Sequence, residues 1–195
     1  NFSEYEIKEQ IIQNNIYGVD IDKGAVDIAR LRFWLALMVD SAKPTPLPNL
    51  DYKIMQGNSL LECYNGVDLR NLSESEDLYV RSAVDGLPEK EKAFFDSHNL
   101  CTKNKLRREI NDTIKNCIKA ASNLTVDFDI PNDKFFLWHT WFKNVFDYNN
   151  GALDSSGFDI IIGNPPYVKE YTNKHAFDGF RETSKYYQGK MDLWY

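Results

Sequence analysis

Residues 158–168, FDIIIGNPPYV, are the stretch that decides the fold. Phe158 and the run Ile160 to Ile162 predict a short buried strand, which Gly163 and two prolines then end, because proline cannot donate to a sheet ladder. Pro165 and Pro166 hold their own φ at about −65° and disfavour helical geometry at the residue before each of them. Asn164-Pro165-Pro166-Tyr167 is therefore expected to be stiff and extended at the carboxyl end of a strand, the edge where open α/β sheets bind ligands. The Asn164 amide oxygen and the Pro165 carbonyl can accept two hydrogen bonds from one exocyclic amino group, and the Tyr167 ring offers a face for stacking. An amino-bearing nucleobase or an amide suits such a site; a strand followed by an ordinary surface turn is the plainer reading of the same residues.

Upstream, the same grammar recurs twice. Ile16 to Val19 predicts a strand ending in Asp20-Ile21-Asp22, and DKGAVDIARLRFWLALMVD predicts a helix with Asp22 placed to cap it. Its apolar residues fall at 26, 29, 33 and 37 and at 28, 31, 35 and 38, two adjoining stripes expected to be buried over a wide face against a sheet. A helix over EYEIKEQIIQNN precedes this strand, and KPTPLPN follows as an extended connector. DYKIMQGNSLLE then gives a second strand, Tyr52 to Gln56, broken by Gly57-Asn58. Short apolar strands separated by helices predict parallel β-α-β units.

The middle of the chain is different. Residues 65–88 are acidic and polar and are expected to form a solvated excursion, while 89–123 are helical in character, with Leu106, Ile110, Ile114, Cys117 and Ala121 on one stripe. The other face carries Lys103, Lys105, Arg107, Arg108, Lys115 and Lys119 against Glu109 and Asp112; a solvated face and a phosphate contact both fit it. FFLWHTWFKNVF, residues 135–146, packs six aromatic residues into twelve positions and predicts a hydrophobic plug, with His139 as a packed histidine; base stacking is the alternative. Three parts follow: 1–64, 65–134 and 135–195.

A net charge of −6 is unfavourable for gripping a phosphate backbone with the whole surface, so any nucleic-acid contact must be local or supplied elsewhere. Cys63, Cys101 and Cys117 show no Cys-x-x-Cys pair and no metal spacing with the three histidines, and all are expected to be small, reduced, buried side chains with no metal site. No signal peptide is evident, and the longest apolar run, Phe33 to Val39, is too short to cross a bilayer, so a cytoplasmic protein without membrane contact is expected. A first residue that is Asn and a last stretch, MDLWY, that reads as the start of a helix suggest a piece of something longer.

GVDID at 18–22, GNS at 57–59 and NPPY at 164–167, in that order, resemble the amino-group DNA methyltransferases. More narrowly, IYGVDIDKGAVDIARLRFWLAL followed by a long insertion and FDIIIGNPPYV resembles the adenine methyltransferase region of type IIG restriction-modification enzymes, over roughly residues 5–62 and 135–195. The resemblance implies a Rossmann-like S-adenosylmethionine-dependent fold with a helical insertion. Asp20 would accept from the cofactor's ribose hydroxyls, Ile21 would pack on its adenine ring, and Asn58 would accept from its adenine amino group, at a place where many relatives carry Asp. It also implies double-stranded DNA as partner, with a flipped target adenine held by Asn164, Pro165, Pro166 and Tyr167. For Asp20 and Asn58, capping and turn-forming roles remain open from the residues themselves, as does a core position for Ile21.

Methyltransferases acting on protein glutamine or on guanine of ribosomal RNA also carry NPPY, but usually with a short connection before it; here about a hundred residues separate Asn58 from Asn164. A helical interaction module on a degenerate sheet would predict a damaged NPPY, and it is intact. The family's glycine-rich loop, which follows the first strand, has no counterpart, since no Gly-x-Gly occurs among the 195 residues; the fold is expected to be partial, with a gap beside the NPPY strand. The expected outcome of calorimetry on this chain with S-adenosylmethionine is therefore no micromolar binding and no activity.

Overall fold

In the computed structural model the described residues are 2–41, 47–64, 67–70, 72, 75–97, 99–122, 133–146, 157–164, 167–178, 180–185 and 187–189. The chain divides into two compact units, Asn1–Ser59 with Pro131–Phe136, and Leu60–Ile130 with Leu137–Tyr195. Pro165, Pro166, the core of the KPTPLPN connector and the MDLWY stretch lie outside the described residues.

The first unit is one β-α-β crossover with a helix in front. Helix α1, Glu4–Asn15, opens with a reciprocal cap: the Ser3 hydroxyl accepts from the Glu6 backbone N–H at 3.2 Å and the Glu6 carboxylate accepts from the Ser3 N–H at 2.7 Å. Strand β1, Gly18–Asp20, leads into helix α2, Lys23–Asp40, whose first turn is capped by Asp22 as the sequence predicts, with Oδ1 accepting from the Ala25 N–H at 2.8 Å. Strand β2, Ile54–Gln56, lies parallel to β1 with Gly18 opposite Ile54, Val19 opposite Met55 and Asp20 opposite Gln56. Parallel pairing needs a long crossover, and α2 supplies it.

Ile12, Val26, Leu37, Leu50 and Ile54 form the core of this unit, with Ala29, Phe33 and Trp34 packed against it. Burying each large aliphatic side chain contributes about 1.5–3 kcal/mol. Polar ties fix the same packing: the Arg30 guanidinium donates twice to the Ile54 carbonyl, at 3.0 and 2.6 Å, and pairs with Asp51, while the Trp34 indole donates to the Pro48 carbonyl at 2.9 Å. Only one of the two expected stripes is buried. Ile28, Leu31, Leu35 and Met38 are exposed, because a two-stranded sheet covers one side of a helix and leaves the adjoining side to water.

In the second unit, strands β3, Cys63–Tyr64, and β4, Val67–Asp68, pair antiparallel. Three helices follow: α3, Leu78–Asp85; α4, Leu87–Asp96, with Pro88 in its first turn; and α5, Leu100–Ser122. The solvated excursion read over 65–88 is corrected here. Leu69, Leu72, Val80, Val84 and Leu87 are buried, and the acidic run serves in part as a cap, with the Asp77 carboxylate accepting from the Tyr79 N–H at 2.8 Å. Val80 and Val84 stand four residues apart on one face of α3, and Leu87 opens α4, so the spacing of apolar residues outweighs the polar composition around them. Asn99 separates α4 from α5 by accepting from the N–H groups of Cys101 and Thr102. Cys63 and Cys117 are buried, and burial pushes the Cys117 thiol up to about 11; Cys101 is exposed, against expectation, because it sits in the first turn of α5 away from the stripe of Ile110, Ile114 and Cys117.

The aromatic segment packs as predicted, with Phe135, Phe136 and Phe142 buried. In the second unit its short helix α6, Trp138–Trp141, is held by a distant carboxylate: Glu62 accepts from the His139 backbone N–H at 3.0 Å and from its Nδ1 at 2.8 Å. Phe158 meets Trp138, Phe142 and Phe146 edge-on at 5.6–6.1 Å. Beyond Phe158 the expected buried strand is absent. Ile160, Ile161 and Ile162 are 79, 81 and 93% exposed and belong to no strand. A continuous apolar run is the signature of a strand covered on both faces, and among the described residues no neighbouring strand pairs with it. No helix among the described residues is long and apolar enough to cross a membrane.

The Glu62 carboxylate raises the pKa of His139 above 6.5, opposed by burial and by Arg70 and assisted by Asp68. A raised folded value means that the stabilisation is complete below the ordinary value of 6.5 and is lost as the pH climbs through the folded value. Thermal denaturation should show the protein losing stability across that interval. Glu62→Gln should lower the melting temperature on the acid side and flatten the profile.

Candidate active site

The cofactor-side candidates sit together at the carboxyl ends of the parallel pair. Register places Asp20 beside Gln56, and the Gly57 N–H donates to the Asp20 carbonyl at 2.9 Å, which continues the pairing one residue past β2 and delivers Asn58 next to the end of β1. Gln56 ties the other side by donating from Nε2 to the Ile21 carbonyl at 3.1 Å. Gly57 is the hinge of this arrangement. A Cβ there would lie 2.5 Å from the Phe136 ring and 2.8 Å from the Phe136 Cβ, so only glycine lets the aromatic segment close over the turn.

Asp20 is exposed, and its Oδ1 accepts from the Asp22 N–H at 2.8 Å. That bond orients the carboxylate and, among the described residues, leaves Oδ2 to accept from a ligand. Asp20 thus shapes the turn while Asp22 caps α2, a division of labour between the two aspartates of GVDID. Ile21 is 55% exposed, which excludes the core position and sets an apolar side chain beside the carboxylate. Asn58 is half-buried. A carboxylate with an open oxygen next to an exposed aliphatic surface fits a hydroxyl-bearing ring system with an apolar face.

The base-side candidates belong to the second unit. Asn164 is exposed at the end of the unpaired Ile160–Ile162 segment, and the Tyr167 ring is exposed three residues on. The chain is pinned on both sides of them. Phe158 anchors the approach through the aromatic cluster. Past Tyr167, Glu170 accepts from Arg181 Nε at 2.8 Å and from the Tyr187 hydroxyl at 2.7 Å, a knot of three side chains, and Phe177 is buried. Glu170 raises the pKa of both Arg181 and Tyr187. The knot was not read from the sequence: Glu170, Arg181 and Tyr187 share no spacing that marks them as partners. Nor was the Glu62–His139 tie, whose members are 77 positions apart. Among the described residues no cluster of three or more His, Cys, Asp or Glu side chains could hold a metal ion.

Comparison with known proteins gives two matches. The model of the family described as Eco57I restriction-modification methylase matches residues 14–195. A protein of Methanocaldococcus jannaschii, described as a candidate type II restriction enzyme and methyltransferase, is 38% identical over 230 aligned residues that take in 84% of this chain and 19% of that protein. The chain thus spans about a fifth of this curated relative. No solved structure matches the chain.

Gly57→Ala forces the new Cβ against Phe136, and such overpacking costs about 1–3 kcal/mol. Chemical denaturation should show a loss in that range. Gly163→Ala, where no atom lies within 4 Å of the added Cβ, should leave stability almost unchanged.

Proposed function

The chain belongs to the Eco57I restriction-modification methylase family, and on that premise we propose that it is part of a site-specific DNA methyltransferase that methylates the N6 amino group of a flipped adenine, within a longer restriction-modification enzyme. The observation that carries the reading is the juxtaposition of Asp20, Ile21 and Asn58 at the carboxyl ends of a parallel pair, the ligand-binding edge of Rossmann-like folds, in a chain that also carries an intact Asn-Pro-Pro-Tyr.

The residues divide the task. Asp20 accepts hydrogen bonds from the ribose hydroxyls of S-adenosylmethionine, Ile21 packs on its adenine ring, and the Asn58 amide oxygen accepts from the adenine amino group. When bound, the cofactor supplies an electrophilic methyl carbon on a positively charged sulfur. The target base must leave the duplex for its amino nitrogen to be reached, and Tyr167 stacks on it once extruded. Asn164 and the Pro165 carbonyl accept from the two amino N–H groups, and Pro166 keeps that corner stiff. This draws the nitrogen lone pair out of conjugation and aims it at the methyl carbon. With the cofactor bound, transfer would form the C–N bond as the C–S bond breaks, leaving the electron pair on sulfur, and the amino nitrogen would give up one proton to water. Positioning and electrostatics carry the rate, with no covalent link to the protein.

Asn164→Ala in the full-length protein should lower methyl incorporation into DNA by about 10²- to 10³-fold, the scale for losing one positioned polar group at a reacting centre. Cofactor affinity should change little. Near wild-type incorporation of labelled methyl groups would overturn the role of Asn164, and methylation of a glutamine-bearing protein or of ribosomal RNA in place of DNA would overturn the substrate.

A further inference from the structure

We propose that Lys169, held over the Tyr171 ring, is a contact for the backbone phosphate of the flipped nucleotide. The proposal rests on the DNA methyltransferase reading above and adds a grip that Asn164 and Tyr167 do not supply. Extrusion turns a nucleotide about its own backbone, so the base enters the site while its phosphates stay at the rim. Phosphate contacts are what fix a protein's register on the strand. A base and its phosphate are separated by one sugar, so a cation for that phosphate must be rooted close to the ring that holds the base. Tyr167 is 76% exposed, and the Lys169 Cα follows two residues on, within about 7 Å along the chain.

Three observations set Lys169 apart from a solvated surface lysine. Its backbone is fixed, because the Lys169 carbonyl accepts from the Thr172 N–H at 3.0 Å, the Asn173 N–H at 3.1 Å and the Thr172 hydroxyl at 2.8 Å. The turn that these bonds close brings the Tyr171 ring to the ammonium, with Nζ 5.8 Å from the ring centroid. A ring face attracts a cation without cancelling its charge, and a cation ordered beforehand loses less freedom on binding. The third observation is the fate of the nearby acids. Glu170, between Lys169 and Tyr171, is half-buried and occupied by Arg181 and the Tyr187 hydroxyl. Asp178 pairs with Arg181 at 3.3 Å and with His175 at 3.0 Å, and Asp159 lies before the three isoleucines. Arg181 itself donates further to the Lys174 carbonyl at 2.8 Å, so its guanidinium is held within the knot. Lys169 is exposed and, among the described residues, has no carboxylate partner, which leaves its charge for a ligand.

The test is duplex binding by the full-length protein as a function of salt, read by fluorescence anisotropy alongside methyl transfer. Losing one phosphate contact makes the slope of log K against log salt shallower by about 0.9, and Lys169→Gln should show that change. Its affinity for duplex should fall about tenfold at moderate salt, the scale for a hydrogen bond to a charged group, and Lys169→Arg should restore both readings. Tyr171→Ala, which removes the ring but not the charge, should give a smaller loss of the same sign. A second duplex, with neutral methylphosphonates in place of the phosphates on either side of the target nucleotide, identifies the contact. On that substitution the wild-type protein should lose about ten times more affinity than Lys169→Gln does. A wild-type protein that methylates duplex but binds both duplexes alike overturns this proposal alone, and that measurement needs no variant to fold. Equal losses in wild type and Lys169→Gln overturn it as well. A wild-type protein that neither binds nor methylates duplex overturns both this proposal and the methyltransferase reading.

Discussion

The first unit depends on the parallel register of β1 and β2, and that register depends on what happens one residue past its end. Gly57 donates to the Asp20 carbonyl and lies so close to Phe136 that no side chain fits between them. Residues from two remote parts of the sequence are thereby locked at one sheet edge. The pair is only three residues long on each strand, too short to stand alone, and it is held from behind by Ile54 in the core and by the Arg30 guanidinium on the Ile54 carbonyl. The exposed Asp20 and Ile21 are rigid because their backbone is shared with that buried layer.

The second unit solves the same problem without a sheet. Asn164 and Tyr167 lie between two anchors: the aromatic cluster around Phe158 and the Glu170 knot. Neither anchor is a β-ladder, and the three isoleucines between Phe158 and Gly163 stand in water. Burial of aromatic rings and a half-buried carboxylate shared by two donors fix the ends of the segment. Helices α3 to α5 meanwhile form a small apolar core of their own.

Much was legible in the residues themselves. The cap at Asp22, the two short strands around α2 and the packing role of the aromatic segment follow from local chemistry, where each residue type has one favourable place to be. The family was legible too, because GVDID, GNS and NPPY occur in a fixed order with their chemistry intact. Tertiary packing decided the rest. Periodicity predicts an apolar face but not whether a partner covers it: of two equivalent stripes on α2 one is buried and one is not, and Ile160–Ile162 reads as a core strand yet finds no neighbour. Val80, Val84 and Leu87 were obscured by acidic surroundings for the converse reason, since burial answers to spacing and not to average composition. The Glu62–His139 tie and the glycine required under Phe136 come from contacts between residues about 80 positions apart, and such contacts exist only once the chain has folded.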